Sequence, residues 1–222
     1  MHAIPSAAVA AAAPPLHGLT DRLFTAIAGP DALTLLPRAP DPAIDAYLQR
    51  AAAAGLLRRG WTLDLDAGEP LPPDLLPAAE GRDALAADIE ALMALFAGLV
   101  CARRLRLRLE VLHRIMCSRF HTDFVGLRLL CTYRGAGTQW LDEGCADRSR
   151  LALHAQGSDD ETSGVILDPA GVHEIARGTV ALLKGAAWVD AEGRRAPGVL
   201  HRSPPVAAED APRVLLVIDS VF

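Results

Sequence analysis

Lysine is nearly missing from this chain: Lys184 is the one lysine among 22 basic residues, and the rest are arginine. With the alanine excess, this reads as compositional bias rather than chemistry. Basic residues are outnumbered by 27 acidic ones, for a formal net charge of −5. Residues 1–100 hold 6 basic and 12 acidic groups, and residues 101–222 hold 16 and 15. A nucleic-acid binder carries a basic stripe or patch. Here only Arg103, Arg104, Arg106 and Arg108 cluster, and a solvated strand face accounts for them. No nucleic-acid partner is expected.

Cysteine is scarce too. Cys101, Cys117, Cys131 and Cys145 lie 14 to 16 residues apart with no C-x-x-C pair, so a zinc knuckle is unsupported and free thiols in a reducing cytosol are expected. Long apolar runs are also missing. The longest, Ala91 to Ala102, is too short to span a bilayer and continues a helix bearing Asp88 and Glu90. Residues 1–15 are alanine-rich but carry no Lys or Arg ahead of the apolar run, which predicts a frayed N-terminus rather than a signal peptide. The expectation is a cytoplasmic protein with no membrane segment. Hydrophobic residues at 51% in 222 residues leave room for one large domain with a sizeable core.

The chain divides by pattern into a proline-rich arm (1–40), a helical part (41–102) and a strand-rich part (103–222). In the arm, a short helix between Thr20 and Ile27 is predicted, with Thr20 as its cap. Asp41-Pro42 opens a second helix with Ile44, Tyr47, Leu48, Ala51 and Ala52 on one side. Trp61 to Ala67 alternates as a strand. A third helix from Asp83 to about Cys101 aligns Leu85, Ile89, Leu92, Met93, Phe96 and Val100, and both long helices are expected to pack on a sheet.

From Arg104 the period changes to two, although a helix burying Leu105, Leu109, Leu112 and Met116 also fits. Short strands are expected at Leu127–Tyr133, Val165–Leu167, Val172–Ile175, Val180–Leu183, Gly198–Arg202 and Val214–Ile218, separated by turn residues. Many short strands argue for a sandwich or jelly roll over helices, an α+β fold. The acidic stretch Gln156–Gly164 reads as a hairpin tip or mobile loop without chemistry. Lys184, before Gly185, reads as a turn residue.

Residues 117–140 bring together His121, Asp123, an apolar run from Leu127 to Tyr133, and a turn holding Gly135 and Gly137. In an extended strand His121 and Asp123 project to one side. They make half a metal site, which His201 can complete. Two histidines and one carboxylate with open positions suit non-haem Fe(II). A fourth protein ligand, such as Glu143, Cys145 or His154, would instead close the site and favour a cupin-like protein that handles or senses zinc or iron without redox turnover. If His121 and His201 never meet, a metal-free interaction module is left.

The ordered blocks carry a resemblance. His-x-Asp, the Arg-containing strand from Arg128 to Tyr133, the Gly135 to Thr138 turn, His201 and then Arg213 resemble the prolyl-hydroxylase-like branch of the 2-oxoglutarate- and Fe(II)-dependent oxygenases. The blocks Cys-Ser-Arg-Phe-His-Thr-Asp, Arg-Leu-Leu-Cys-Thr-Tyr-Arg-Gly-Ala-Gly-Thr-Gln-Trp, Leu-Leu-Lys-Gly-Ala-Ala-Trp and His-Arg-Ser-Pro resemble an uncharacterised bacterial family of unknown function from about residue 20 onward. The resemblance implies a double-stranded β-helix in which His121, Asp123 and His201 hold Fe(II). It further implies that Arg213 grips 2-oxoglutarate, with Tyr133 or Thr132 adding a hydroxyl hydrogen bond, Arg128 either assisting or serving as a strand residue in a structural ion pair, and Arg202 as a rival carboxylate binder. The substrate, a small molecule or a protein side chain, stays unidentified.

Overall fold

The structure is a computed structural model that describes residues 16–151, 159–207 and 211–221. The N-terminal residues expected to fray, His154, and the first three residues of the Gln156–Gly164 stretch lie outside them.

In chain order the elements begin with α1 (Leu16–Ala28), β1 (Leu33–Leu36), α2 (Pro42–Ala53), β2 (Trp61–Asp66), α3 (Arg82–Val100) and β3 (Arg104–Leu112). They continue with β4 (Leu127–Arg134), β5 (Gln139–Leu141), α4 (Asp160–Ser163), β6 (Val172–Glu174), β7 (Val180–Lys184), β8 (His201–Arg202) and β9 (Arg213–Ser220). Asp41 opens α2 as predicted: its carboxylate accepts from the backbone N–H groups of Ala43 and Ile44, at 2.7 and 3.4 Å. The first helix, however, begins before Thr20, so Thr20 lies inside it and is not its cap. β1 was not expected, because a four-residue strand between prolines carries little periodic signal.

Two antiparallel sheets form. The larger runs β1-β7-β4-β9-β3-β2 and the smaller β6-β5-β8. A bridge between His121 and His201 adds the chain at His121 to the free side of β8. Ala146 and Ile166 form an isolated bridge, so the predicted strand at Val165–Leu167 shrinks to a single pairing.

Strand parity then sorts the side chains of the larger sheet. One face is apolar along its length: Leu105, Leu107 and Leu109 of β3, Leu127, Leu129, Cys131 and Tyr133 of β4, and Val214, Leu216 and Ile218 of β9 pack under the helices with Phe96, Ile89, Leu85 and Tyr47. This is the main core, and it resolves β3 as a strand. Leu130, Leu215 and Val217 on the opposite face meet Val199 and Ile175, with Trp140 against them, closing the space between the two sheets. A third cluster of Phe120, Leu141, Val165 and Leu200 backs the outer face of the smaller sheet.

Burying the apolar face against helices leaves the other face of the larger sheet free to carry polar groups between two layers. That is where the candidate site lies. Among the described residues no helix is long and apolar enough to cross a membrane.

Candidate metal centre and anion pocket

His121 and His201 are a mutually hydrogen-bonded pair across antiparallel strands, each N–H donating to the other's carbonyl at 3.0 Å. Directly opposed residues share a face, so their rings meet, with centroids 4.6 Å apart. Asp123 reaches the same point: one of its oxygens is 3.0 Å from His201 Nε2, and the other is 3.9 Å from His121 Nε2. One ligand atom from each of the three residues falls within 4.8 Å of the others.

The histidine tautomers follow from the backbone. His121 Nδ1 lies 2.8 Å from the Arg119 carbonyl and His201 Nδ1 lies 3.0 Å from the Val199 carbonyl. A carbonyl only accepts, so each Nδ1 carries a proton and each Nε2 is turned toward Asp123, where a bound cation would take the place of the proton that His201 Nε2 shares with the carboxylate 3.0 Å away. Burial first, and His201 beside it second, hold the His121 pKa below its ordinary value against the pull of the Arg119 carbonyl and Asp123. The Asp123 pKa is lowered as well, which for a carboxyl favours the charged form. Burial opposes ionisation, but His201, Arg128 and His121 together keep its carboxyl well below the usual carboxylate range. Two imidazole Nε2 atoms and a carboxylate thus converge on one point, an arrangement that calls for a cation.

Asp123 is held from two directions. Arg128 donates from Nη1 to Asp123, and from Nε and Nη2 to the two oxygens of Asp219 at 2.7 Å each. The Asp123 carbonyl accepts the Ala186 N–H at 2.8 Å, in a loop that passes tightly over Gly185. A Cβ on Gly185 would stand 2.3 Å from the Val125 carbonyl oxygen, so the Lys-Gly block keeps the Asp123 loop in place. Lys184 is not a turn residue. It ends β7, is 6% exposed, and donates from Nζ to the Gly29 carbonyl at 2.6 Å.

Along β4, β9 and β3 the inward face reads in rows: Arg128 beside Asp219, then Leu130, Val217 and Arg108, then Thr132, Leu215 and Glu110. From these rows Arg128, Leu130, Val217, Arg108, Leu215 and Glu110 wall a cavity of about 130 Å³ that also opens on His121, Asp123, His201 and Thr138. Behind Thr138, Arg213 is 1% exposed. Its Nε donates to the Ala136 carbonyl at 2.7 Å, and its Nη2 to Thr138 Oγ1 at 2.9 Å and more distantly to Thr132 Oγ1 at 3.4 Å. Its Nη1 is buried with no partner. Burial lowers the Arg213 pKa to about 10, with Glu174 pulling it back up. A buried cation with a spare pair of N–H bonds fits an anionic guest.

Tyr133 does not assist Arg213, and Arg128 takes the ion-pair alternative. Tyr133 faces the helices because it is one residue out of step with Thr132, and its hydroxyl donates to Asp88 at 2.6 Å. Arg128 is committed to Asp123 and Asp219 and has become a support for the carboxylate instead. Arg202 is no rival either. It stacks on the Phe120 ring at 4.5 Å and donates to Gln139, Asp160 and Glu161 at 2.9 Å each.

Sequence reasoning missed Thr138, Asp219 and Asp160. Parity from Arg128 would have separated Thr132 from Tyr133, but no local signal pairs Asp219 with Arg128, 91 residues away. The described part of the stretch, residues 159–164, holds a short helix rather than a hairpin tip or mobile loop: Asp159 caps α4, and Asp160 is buried, accepting the Phe120 N–H at 2.8 Å. Two of the proposed closing ligands stand elsewhere. Glu143 is paired with Arg148 at 2.7 Å, and the Cys145 side chain packs against Gly171. Among the described residues the cluster has three members.

Comparison with known proteins agrees with the fold. A dioxygenase for auxin oxidation from rice superposes with a TM-score of 0.50 at 18% identity, over 91% of this chain and 77% of the other. A Pseudomonas putida prolyl-4-hydroxylase matches with a TM-score of 0.44 at 11% identity, over 93% and 98%. The Fe(II)/α-ketoglutarate-dependent dioxygenase TqaL matches at 0.45 and 12%, over 92% and 85%. No curated protein matches by sequence. The model of one sequence family spans residues 22–219, and the chain belongs to that family, DUF1826, a group of proteins of unknown function.

Proposed function

We propose that this chain is a non-haem Fe(II) oxygenase using 2-oxoglutarate as co-substrate, built on a double-stranded β-helix. The two antiparallel sheets facing each other across Leu130, Leu215, Val217 and Val199 support the fold reading. The observation that carries the functional reading is the convergence of Nε2 of His121, Nε2 of His201 and the Asp123 carboxylate on one point of the cavity. Behind the Thr138 wall of that cavity, Arg213 presents a buried, unpartnered Nη1.

The donor set fits Fe(II): two imidazoles and one carboxylate, with no fourth protein ligand among the described residues. When bound, Fe(II) with 2-oxoglutarate and dioxygen supplies the oxidation, in which one oxygen atom leaves in succinate beside carbon dioxide and the other enters a C–H bond of the substrate.

The chain's own part is position and dryness. The Arg119 and Val199 carbonyls keep both imidazoles in the Nδ1–H tautomer with Nε2 inward. Arg128 fixes the rotation of the Asp123 carboxylate. Arg213, already oriented by Ala136 and Thr138, receives the remote carboxylate of the co-substrate, and Leu130, Leu215 and Val217 keep water from its methylenes.

The test is anaerobic titration with Fe(II), then 2-oxoglutarate, following metal uptake and the weak visible band that the chelated keto acid gives. Wild type takes up one Fe(II) and develops the band; Asp123→Ala and His201→Ala lose both. Full metal uptake by either variant sinks the assignment, and wild-type uptake without a band sinks the co-substrate half.

A further inference from the structure

Two charged side chains in the same cavity are left over once the metal and co-substrate residues are assigned. Arg108 and Glu110 sit at alternate positions of β3, so both turn toward the cavity that holds His121, Asp123 and His201. Their Cα atoms are roughly 7 Å apart by the strand rise. Neither is fully satisfied. Arg108 Nε is buried without a partner, and its Nη2 makes a 3.2 Å contact to an Asp219 oxygen that Arg128 holds more closely, at 2.7 Å. Glu110 is half-buried and its carboxylate, among the described residues, forms no hydrogen bond or ion pair, not even with Arg108. Partly desolvating an unpaired carboxylate beside a guanidinium that is only partly paired is unfavourable. The sequence could relieve it with a leucine at either place, as it does at Leu130 and Leu215 on neighbouring strands.

We propose that Arg108 and Glu110 are the substrate-recognition pair for a free, zwitterionic α-amino acid, with Arg108 receiving its carboxylate and Glu110 its ammonium group. This rests on the oxygenase reading above and names the substrate class for that site. A zwitterion answers both charges with one small molecule, which a cavity of about 130 Å³ requires. A residue inside a peptide carries neither charge, so the pair selects against protein side chains. Met116, at the same cavity, offers an adaptable apolar wall to the side chain of the guest.

The experiment is calorimetric titration of the full chain, loaded under argon with Fe(II) and 2-oxoglutarate, using the twenty protein L-α-amino acids as probes. Each binder is then compared with its amide and its des-amino acid. At least one amino acid binds, and loss of either charged group weakens binding at least tenfold. Glu110→Gln weakens it by the same factor, Glu110→Asp restores part of it, and the visible band of the loaded site forms in both variants as in wild type. If loading is normal but no amino acid binds, or the uncharged analogues bind equally well, the pair does not recognise a zwitterion and only this proposal falls. If the band never forms, the oxygenase reading falls and takes this proposal with it.

Discussion

Replacing Arg213 by methionine separates binding from folding more cleanly than any other change at the site. Three of the five guanidinium N–H bonds are engaged, by Ala136, Thr138 and Thr132, and the two on Nη1 are free. A hydrogen bond from a charged donor contributes about 1.5–3 kcal/mol, and about 1.4 kcal/mol is a factor of ten. Losing even one such bond therefore weakens 2-oxoglutarate binding roughly 10- to 150-fold. Stability should move far less. The variant loses two good hydrogen bonds, but it also removes a buried charge that has no ion-pair partner among the described residues, and a buried ion replaced by an apolar chain of similar size is often neutral. Calorimetric titration of Fe(II)-loaded protein without oxygen measures the affinity, and urea denaturation measures the fold. A folded Arg213→Met variant that binds 2-oxoglutarate within threefold of wild type would refute the assignment of Arg213 as the carboxylate receptor.

Two further changes test how the site is held. Asp160→Ala removes a carboxylate that accepts both the Phe120 N–H and Arg202 Nη1, at 2.8 and 2.9 Å, tying together the neighbours of the two histidines. It should cost about 3 kcal/mol in urea denaturation and lower Fe(II) affinity, and a loss under about 1 kcal/mol would show that the strands hold register without it. Gly137→Ala would put a Cβ 1.7 Å from the Ile175 carbonyl oxygen and displace Thr138, costing about 3 kcal/mol or more, whereas Gly98→Ala in α3 meets nothing within 4 Å and should gain about 0.5–1 kcal/mol. Equal melting temperatures for the two alanine variants would contradict the packing at the Gly135–Thr138 turn.

What could be read from the sequence was whatever a short window contains. The stripe from Leu85 to Phe96 and the Arg-Leu alternation of β3 each repeat several times within their element, and both elements formed as the period required. His121 and Asp123 are two residues apart, so their shared direction was legible as well. Contacts set by strand order were not. Asp219 reaches Arg128 because β9 inserts between β3 and β4, a placement that no pattern inside β9 encodes. Asp160 looked like one acid in a polar loop because its partners, Phe120 and Arg202, are 40 and 42 residues away. Tyr133 is a different kind of miss. Its parity was available, and counting in twos from Arg128 puts it under the helices.

The same parity explains why the polar groups gather where they do. Odd positions of β3 and β4 and even positions of β9 go to the helix-covered core, which leaves Arg108, Glu110, Arg128, Thr132, Arg213 and Asp219 on the face between the sheets. On that face the charges alternate along a connected line, from Asp123 to Arg128 to Asp219 to Arg108. Each inner member has a partner on both sides, so the carboxylate beside the two histidines is oriented by the sheet itself rather than by a mobile loop. The line ends at Arg108, whose Nε has no acceptor, while Arg213 stands apart with a free Nη1. A purely structural network would be expected to close on itself. This one stops at Arg108, which shares a cavity with three convergent metal-ligand atoms, with Arg213 behind the Thr138 wall, and that open end is the physical reason to look for small anions and an ion-paired guest there.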